Sequence, residues 1–400
     1  MKVLFIAEDC PYPPDNGGRL RTFNLLKYLS LRHEITLIAP MSSRVEPESG
    51  FGHPLKLVIP VSPPRWNSLH KINSLTSPLP WSVHKHYSST MRTAVLDAIR
   101  TDRFDLLHCD STLVAPAVPP NLSLPKVLNA HNVESVIWER YLAAEHRPWL
   151  KPLLRSQLTK VSAYESQLLR YFDCCVTVSE QDLKELTLRY GYRNARVVPN
   201  GVDLGFYAPQ PESHTSTIAF IGSLDYRPNK AAICWFVESI WPRIQTEAPE
   251  VEMLLVGRRP PRWLEKLCKR ASIRLCPNVP DVRPYLASAA LTVVPIRIGG
   301  GTRLKILESM AASRCVVSTK VGAEGLEVQH GEHLIIADDP TKFALAVISL
   351  LRDPVQRRII AGKGQALVEA KYGWDKAALQ MEEIWSQMLA GRQGLSNDGV

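Results

Sequence analysis

Two doubly wound α/β domains in series are what this 400-residue sequence predicts. Three observations carry that expectation. Short apolar runs alternate with helix-like stretches from end to end, the pattern of βαβ units. The alternation restarts after a turn-rich segment near the middle of the chain. The length suits two cores of ordinary size, and 45% hydrophobic with 22% charged residues excludes wholesale disorder.

In the first half the apolar runs are 3–7, 35–39, 57–61, 106–109, 127–130 and 175–178. Runs this short that are apolar on both faces read as strands of a parallel sheet covered by helices. The covering helices are expected at 20–31, 133–144, 152–171 and 180–190. Residues 60–90 break the rhythm. Pro60, Pro63, Pro64, Trp66, Trp81, His84, His86 and Tyr87 stand there among few strand or helix signals. They read as a basic, aromatic lip facing an acceptor or a membrane, or as a proline-rich surface connection. The helix over 147–170, with Arg147, Lys151, Arg155, Lys160 and Arg170, reads as a solvated face or one turned to anionic lipid.

The segment 198–209 holds Asn200-Gly201 between Pro199 and Pro209, and such residues break regular structure. The domain boundary is therefore expected near residue 205. The second series has strands at 218–221, 253–256, 273–275, 291–294, 316–319 and 334–337. Its helices are at 231–244, 263–270, 302–312 and 341–351. The expected organisation is an N-terminal domain over 1–205 and a second domain over 206–373. The helices at 354–370 and 375–389 have no strand after them. The terminal one, 374–390, is expected to cross back to the N-terminal domain.

The formal charge is +9. The basic excess is spread over both halves and no nucleic-acid-binding pattern accompanies it, so nucleic acid is excluded as a partner. An anionic small molecule, a lipid diphosphate or an anionic membrane surface remains. The eight cysteines are scattered without a C-x-x-C pair, which predicts reduced thiols and no structural zinc. No run is long enough to span a bilayer, and the apolar start is too short for a signal peptide. The expected location is cytoplasmic, with peripheral contact at the inner membrane face.

Five motifs carry chemistry. Gly17-Gly18 opens the first helix, where glycines let backbone N–H groups approach a phosphate; the alternative is a plain turn. It is not G-x-G-x-x-G, which argues against a nicotinamide dehydrogenase. His131 stands past the carboxyl end of a strand, where open α/β sheets bind ligands, or it caps the next helix. Gly222 ends another strand, with Arg227 and Lys230 placed to hold a diphosphate or simply solvated. The block 294–312 is the most informative. A strand runs into Gly299-Gly300-Gly301, then Thr302 placed to cap a helix, then Arg303, Lys305 and Glu308. Lys305 suits a diphosphate, and Glu308 suits the two hydroxyls of a ribose. On a helix 301, 305 and 308 share one face. Glu324, after the next strand, lines the same cleft or is a loop carboxylate.

These motifs, with the segment Val198-Pro199-Asn200-Gly201-Val202-Asp203, resemble the nucleotide-sugar-dependent glycosyltransferases of family four, which have the GT-B fold. The resemblance covers nearly the whole chain. More narrowly the sequence is similar to sugar transferases of bacterial exopolysaccharide clusters, including those tied to PEP-CTERM sorting systems. The resemblance implies two Rossmann-like domains facing a central cleft, with nucleotide sugar on the C-terminal side and acceptor on the N-terminal side. It implies retention of configuration, and neither metal nor cofactor. Glu308 would bind the ribose, Arg227, Lys230 and Lys305 the diphosphate, Gly18 the diphosphate from the other domain, and His131 the donor sugar. The family often carries a second glutamate eight positions earlier, and here Gly300 stands in its place. Arg303 and Lys305 would then take more of the diphosphate.

The implied reaction moves a sugar from a nucleoside-diphosphate sugar to a glycan or polyprenyl-linked acceptor. Without a metal, cations and amides must stabilise the departing diphosphate. A sugar-nucleotide epimerase of the same fold and a non-catalytic nucleotide-sugar-binding protein are the competing expectations.

Overall fold

The structure, a computed structural model, describes residues 1–41, 55–63, 74, 76–209 and 216–397. The chain divides into two compact units. One comprises Met1–Pro199 with Trp374–Val400, and the other Asn200–Gly373.

Among the described residues the first unit is built on seven strands: β1 (Lys2–Ile6), β2 (Glu34–Pro40), β3 (Leu57–Val61), β4 (Leu106–Cys109), β5 (Lys126–Ala130), β6 (Cys174–Thr177) and β7 (Ala195–Val197). Their order is β3-β2-β1-β4-β5-β6-β7, and every pair is parallel. The strand order reverses between β1 and β4. In an open parallel sheet that reversal opens a crevice at the carboxyl ends, where ligands bind. The short edge strand β7 was not expected from sequence, because its three residues carry too little apolar signal.

Within this unit, helix Trp374–Asn397 lies against helix Gly17–Leu29. Trp374, Ala377, Ala378, Met381 and Trp385 are buried, and their spacing of three and four makes one apolar stripe. Trp385 donates its indole N–H to His108 Nδ1 at 3.2 Å. Arg32 and His33 reach Glu382 at 3.0 and 3.1 Å.

Among its described residues the second unit has six strands: β8 (Thr217–Ile221), β9 (Glu252–Gly257), β10 (Arg274–Pro277), β11 (Leu291–Val294), β12 (Cys315–Ser318) and β13 (Ile335–Ile336). The order β10-β9-β8-β11-β12-β13 is again all parallel, with its reversal between β8 and β11. Alternate side chains feed opposite faces. Ile218, Phe220, Leu255, Val293 and Val317 join one core cluster; Val294 and Val316 join another. This is why the runs are apolar throughout.

The connecting segment belongs to the second unit. Val202 N–H donates to the Tyr372 carbonyl at 2.7 Å, and Val202 bridges Gly373. The division therefore falls ahead of residue 205. Pro199 and Val198 are tied the other way. The buried guanidinium of Arg21 donates to their carbonyls at 3.0 and 2.9 Å.

Two local readings need correction. The expected helix 231–244 runs instead from Arg227 through a π-helical turn, Phe236–Ile240, to Glu247. Pro242 has no N–H for the i−4 carbonyl, so the ladder shifts there. Residues 60–90 contain helix Trp81–His86, and helix Ser89–Thr101 follows directly. Ser88 caps the second through Met91 N–H at 3.3 Å, and Met91, Val95 and Ala98 are buried along one face. Pro64 and Trp66 lie outside the described residues. No helix among the described residues is long and apolar enough to cross a membrane.

Candidate active site

In the second unit, β8 hands the chain to Gly222, whose φ is +155°. A Cβ there would stand 2.7 Å from Lys305 Nζ and 3.1 Å from Asn229 Nδ2. Gly257, ending β9, is tighter still: a Cβ would lie 1.8 Å from the Gly222 carbonyl oxygen. The two glycines let neighbouring strand ends come together and leave the space above β8 to Lys305.

Lys305 is on the first turn of helix Leu304–Ala311. Its ammonium donates to Asn229 Oδ1 at 3.0 Å and sits 4.1 Å from the centroid of the Phe220 ring. Asn229, itself buried, donates to the Ser223 carbonyl at 2.7 Å, which fixes its amide orientation. Burial lowers Lys305 to about 7; Glu308 opposes the shift and Arg303 adds to it.

Glu308 lies one turn further on the same helix face. Burial raises its carboxyl above the usual range, while the neighbouring Tyr207 hydroxyl and the Lys305 charge pull it back. Tyr207 is pushed up by its own burial and by Glu308.

The glycine loop follows β11. Gly299 and Gly301 have φ of +140° and +67°, values that non-glycine residues rarely adopt. Arg303 folds back on this loop, donating to the carbonyls of Gly300 and Gly301. Thr302 does not cap the helix. Arg303 holds the N-cap position without a side-chain bond, and the Thr302 hydroxyl accepts from Asn200 Nδ2 at 2.5 Å. Gly301 precedes the helix, so the shared helical face consists of 305 and 308.

Arg227 opens helix Arg227–Trp235 and is exposed; Lys230, half-buried, follows one turn later. Between them Pro228 faces the glycine loop: a Cβ at Gly299 would be 3.7 Å from Pro228 Cγ and 3.0 Å from Arg303 Nη2. Glu324 sits half-buried in the turn after β12. That turn is held close by Gly322, where a Cβ would meet Ser318 Oγ at 2.3 Å.

In the first unit, Gly17 and Gly18 are exposed at the start of their helix, and Asn16 caps it through Arg19 N–H at 3.0 Å. His131, half-buried past β5, points Nε2 at Asp110 Oδ2, 3.8 Å away. Asp110 follows β4 and is buried. It accepts from Asn129 Nδ2 at 2.8 Å and from the Thr22 hydroxyl, and it faces His108 Nε2 at 3.6 Å. Although burial opposes it, His108, His131 and Thr22 hold the Asp110 carboxyl below its usual range. Glu8, past β1, accepts from Ser111 Oγ at 2.6 Å and faces His86 Nε2 at 3.4 Å. Glu134, on the first turn after His131, is raised to about 8 by burial, then by Glu165 and Glu8. Among the described residues no group of His, Cys, Asp and Glu is arranged to hold a metal ion.

The description Glycosyltransferase Family 4 matches residues 16–206, and Glycosyl transferases group 1 matches residues 215–353. The chain is a family-four glycosyltransferase. Among curated relatives, it is 22% identical over 387 residues to an uncharacterized 44.6 kDa protein in the cps region of Klebsiella pneumoniae, covering 93% of this chain and 96% of that one. It is 24% identical to a D-inositol 3-phosphate glycosyltransferase of Thermobispora bispora, covering 89% and 86%. Among solved structures, sucrose-phosphate synthase from Thermosynechococcus elongatus superposes with a TM-score of 0.74 at 19% identity, over 98% of this chain and 100% of that one. Anabaena HepE in complex with UDP and glucose gives 0.69 at 16% identity, over 97% and 100%. The glycosyltransferase has the GT-B fold, with a Rossmann-like sheet in each unit.

Sequence reasoning about this glycosyltransferase missed Asn229, Tyr207 and Asp110. Asn229 stands between Arg227 and Lys230, but an asparagine early in a helix reads as a cap. Tyr207 read as part of a breaker segment. Asp110, after an apolar run, carried the mark of a strand-end carboxylate and was legible.

Proposed function

We propose that this glycosyltransferase moves a sugar from a nucleoside-diphosphate sugar to a glycan or polyprenyl-linked acceptor, with retention and without a metal. The observation that carries the donor half is the enclosed ammonium of Lys305, held by Asn229 over Phe220 beside Gly222, one helical turn from Glu308. A cation and a carboxylate on one face of a helix, next to strand-end glycines, suit a pyrophosphate and a ribose in sequence.

As the glycosidic bond breaks, negative charge grows on the diphosphate. Lys305, Arg227, Lys230 and the amides of the Gly222 and glycine-loop turns supply the opposing field. Arg303 acts mainly by bracing the loop, since its guanidinium is engaged by the Gly300 and Gly301 carbonyls. Glycine at 300 leaves the donor sugar without the second family carboxylate, so Glu324 and the loop backbone take its place. The acceptor belongs to the first unit, where His131, oriented by Asp110, lies at the strand ends with Glu8 and Gly18. The departing diphosphate takes the acceptor proton on the face it leaves. The HepE structures hold UDP or UDP-glucose, and a relative lies in a cps region. The first supports a nucleotide-sugar donor; a cell-surface polysaccharide role and peripheral contact at an anionic membrane belong to the same proposal.

The test is turnover of UDP- and GDP-sugars with glycan acceptors by the wild type, Lys305→Ala and Glu308→Ala. Both variants are expected to fold and to lose transfer by about 100-fold or more. Wild-type turnover in both would place the site elsewhere.

A further inference from the structure

We infer that the outer face of helix Arg262–Arg270, in the second unit, docks on an anionic lipid surface. This rests on the peripheral membrane contact proposed above and assigns the surface that makes it.

The segment 258–274 holds seven Lys and Arg residues against one Glu. On the helix, Arg262, Lys266, Lys269 and Arg270 are spaced i, i+4, i+7 and i+8, so they form one stripe about 12 Å long. All four are exposed, and none is in an ion pair among the described residues. Glu265, within reach by spacing, bridges neither Arg262 nor Lys269. The flanking cations are matched instead: Arg259 faces Asp225 at 3.8 Å and Arg274 faces Glu252 at 3.5 Å. The opposite face of the helix is fastened to the core. Leu264 and Cys268 are buried in the cluster that holds Trp241 and Ile273, and the Trp241 indole N–H donates to the Ala271 carbonyl at 2.8 Å. The stripe is therefore presented on a fixed mount.

Helix stability does not account for the stripe. Arg262 with Lys266, and Lys266 with Arg270, are like charges at i, i+4, which repel. The helix dipole favours Lys269 and Arg270 in the last turn but opposes Arg262 at the first position. A sheet of external anions offsets all four charges at once. Trp263, 41% exposed, stands at the edge of the stripe, and an indole beside cations suits the headgroup level of a bilayer. Successive bases of a nucleic acid would need successive stacking rings, and Trp263 is the one aromatic in 258–274. The basic helix of the first unit is less free. Arg147 is held by Glu145 at 2.8 Å and Lys160 donates to the Ser74 carbonyl at 3.2 Å.

The test sediments the full chain with vesicles of phosphatidylcholine alone or with about 30% phosphatidylglycerol, at low and high salt. The wild type should bind the anionic vesicles at least about tenfold more tightly than the neutral ones, and lose that preference in high salt. Each cation contributes about fivefold, so Lys266→Gln with Arg270→Gln should weaken binding by about 25-fold. Its melting temperature should hold or rise, because a repulsion has been removed; a merely structural role would lower it. Lys151→Gln with Arg155→Gln, on the first unit, should stay within about twofold of the wild type. Unchanged binding in Lys266→Gln with Arg270→Gln would overturn this surface while leaving membrane contact standing. Failure of the wild type to bind anionic vesicles would overturn both. Tighter binding to single-stranded RNA than to those vesicles would overturn lipid as the occupant.

Discussion

Lys305 makes the affinity for a nucleoside diphosphate depend on pH in a calculable way. In the free protein burial sets the ammonium at about 7. A bound diphosphate restores the charged form far above that value. Only the charged fraction of free protein is ready to bind, so apparent Kd scales with 1 + 10^(pH − 7). The sign follows: affinity is full below pH 7 and falls as pH rises. Between pH 7 and 9 the expected weakening is about 50-fold. Calorimetry in two buffers of different ionisation heat should show uptake of about half a proton per UDP at pH 7, approaching one by pH 8.5. Lys305→Arg keeps its charge throughout, so its curve should be flat over this range. Parallel curves for wild type and Lys305→Arg would refute the reasoning, because the titrating group would then not be this lysine.

Other perturbations follow from the same structure. Gly257→Ala drives a methyl into the Gly222 carbonyl, 1.8 Å from the ideal Cβ, and should cost about 3 kcal/mol or more in chemical denaturation, with poor soluble yield. Asp110→Asn removes the buried charge facing His131 and His108. It should destabilise the fold by about 1–3 kcal/mol and lower kcat more than donor affinity, which denaturant titration and nucleotide calorimetry separate. Trp385→Phe deletes the donor to His108 and should lower stability by about 1 kcal/mol. A drop below a few tenths would mean that the terminal helix is not fastened there.

The fold was readable wherever burial on both faces forced a run to be apolar, as at β1, β5, β8 and β12. It was least readable where local chemistry competed with pattern. Ser89–Thr101 buries only Met91, Val95 and Ala98, a thin stripe next to a proline-rich stretch that drew the eye to loops. The connecting segment looked like a mere breaker. Yet Asn200 reaches Thr302, and Tyr207 packs on the core cluster of Ile306 and Leu307, all far along the chain, and no local pattern announces such partners. At the candidate site, type and spacing singled out Gly222, Lys305 and Glu308, and the structure sets Gly222 beside Lys305, one helical turn from Glu308. Thr302 was misread because a threonine before a helix signals a cap, and only the folded chain shows that Asn200 has taken its hydroxyl. Arg303 was expected to face an anion, but it is tied to its own loop by carbonyls that spacing cannot reveal.

A crystal of the full chain grown or soaked with UDP, or with whichever of GDP and ADP raises its melting temperature most, bears most directly on the whole reading. The pyrophosphate should rest on Lys305 beside Gly222, with the ribose hydroxyls on Glu308. Nucleotide density away from both side chains would contradict it.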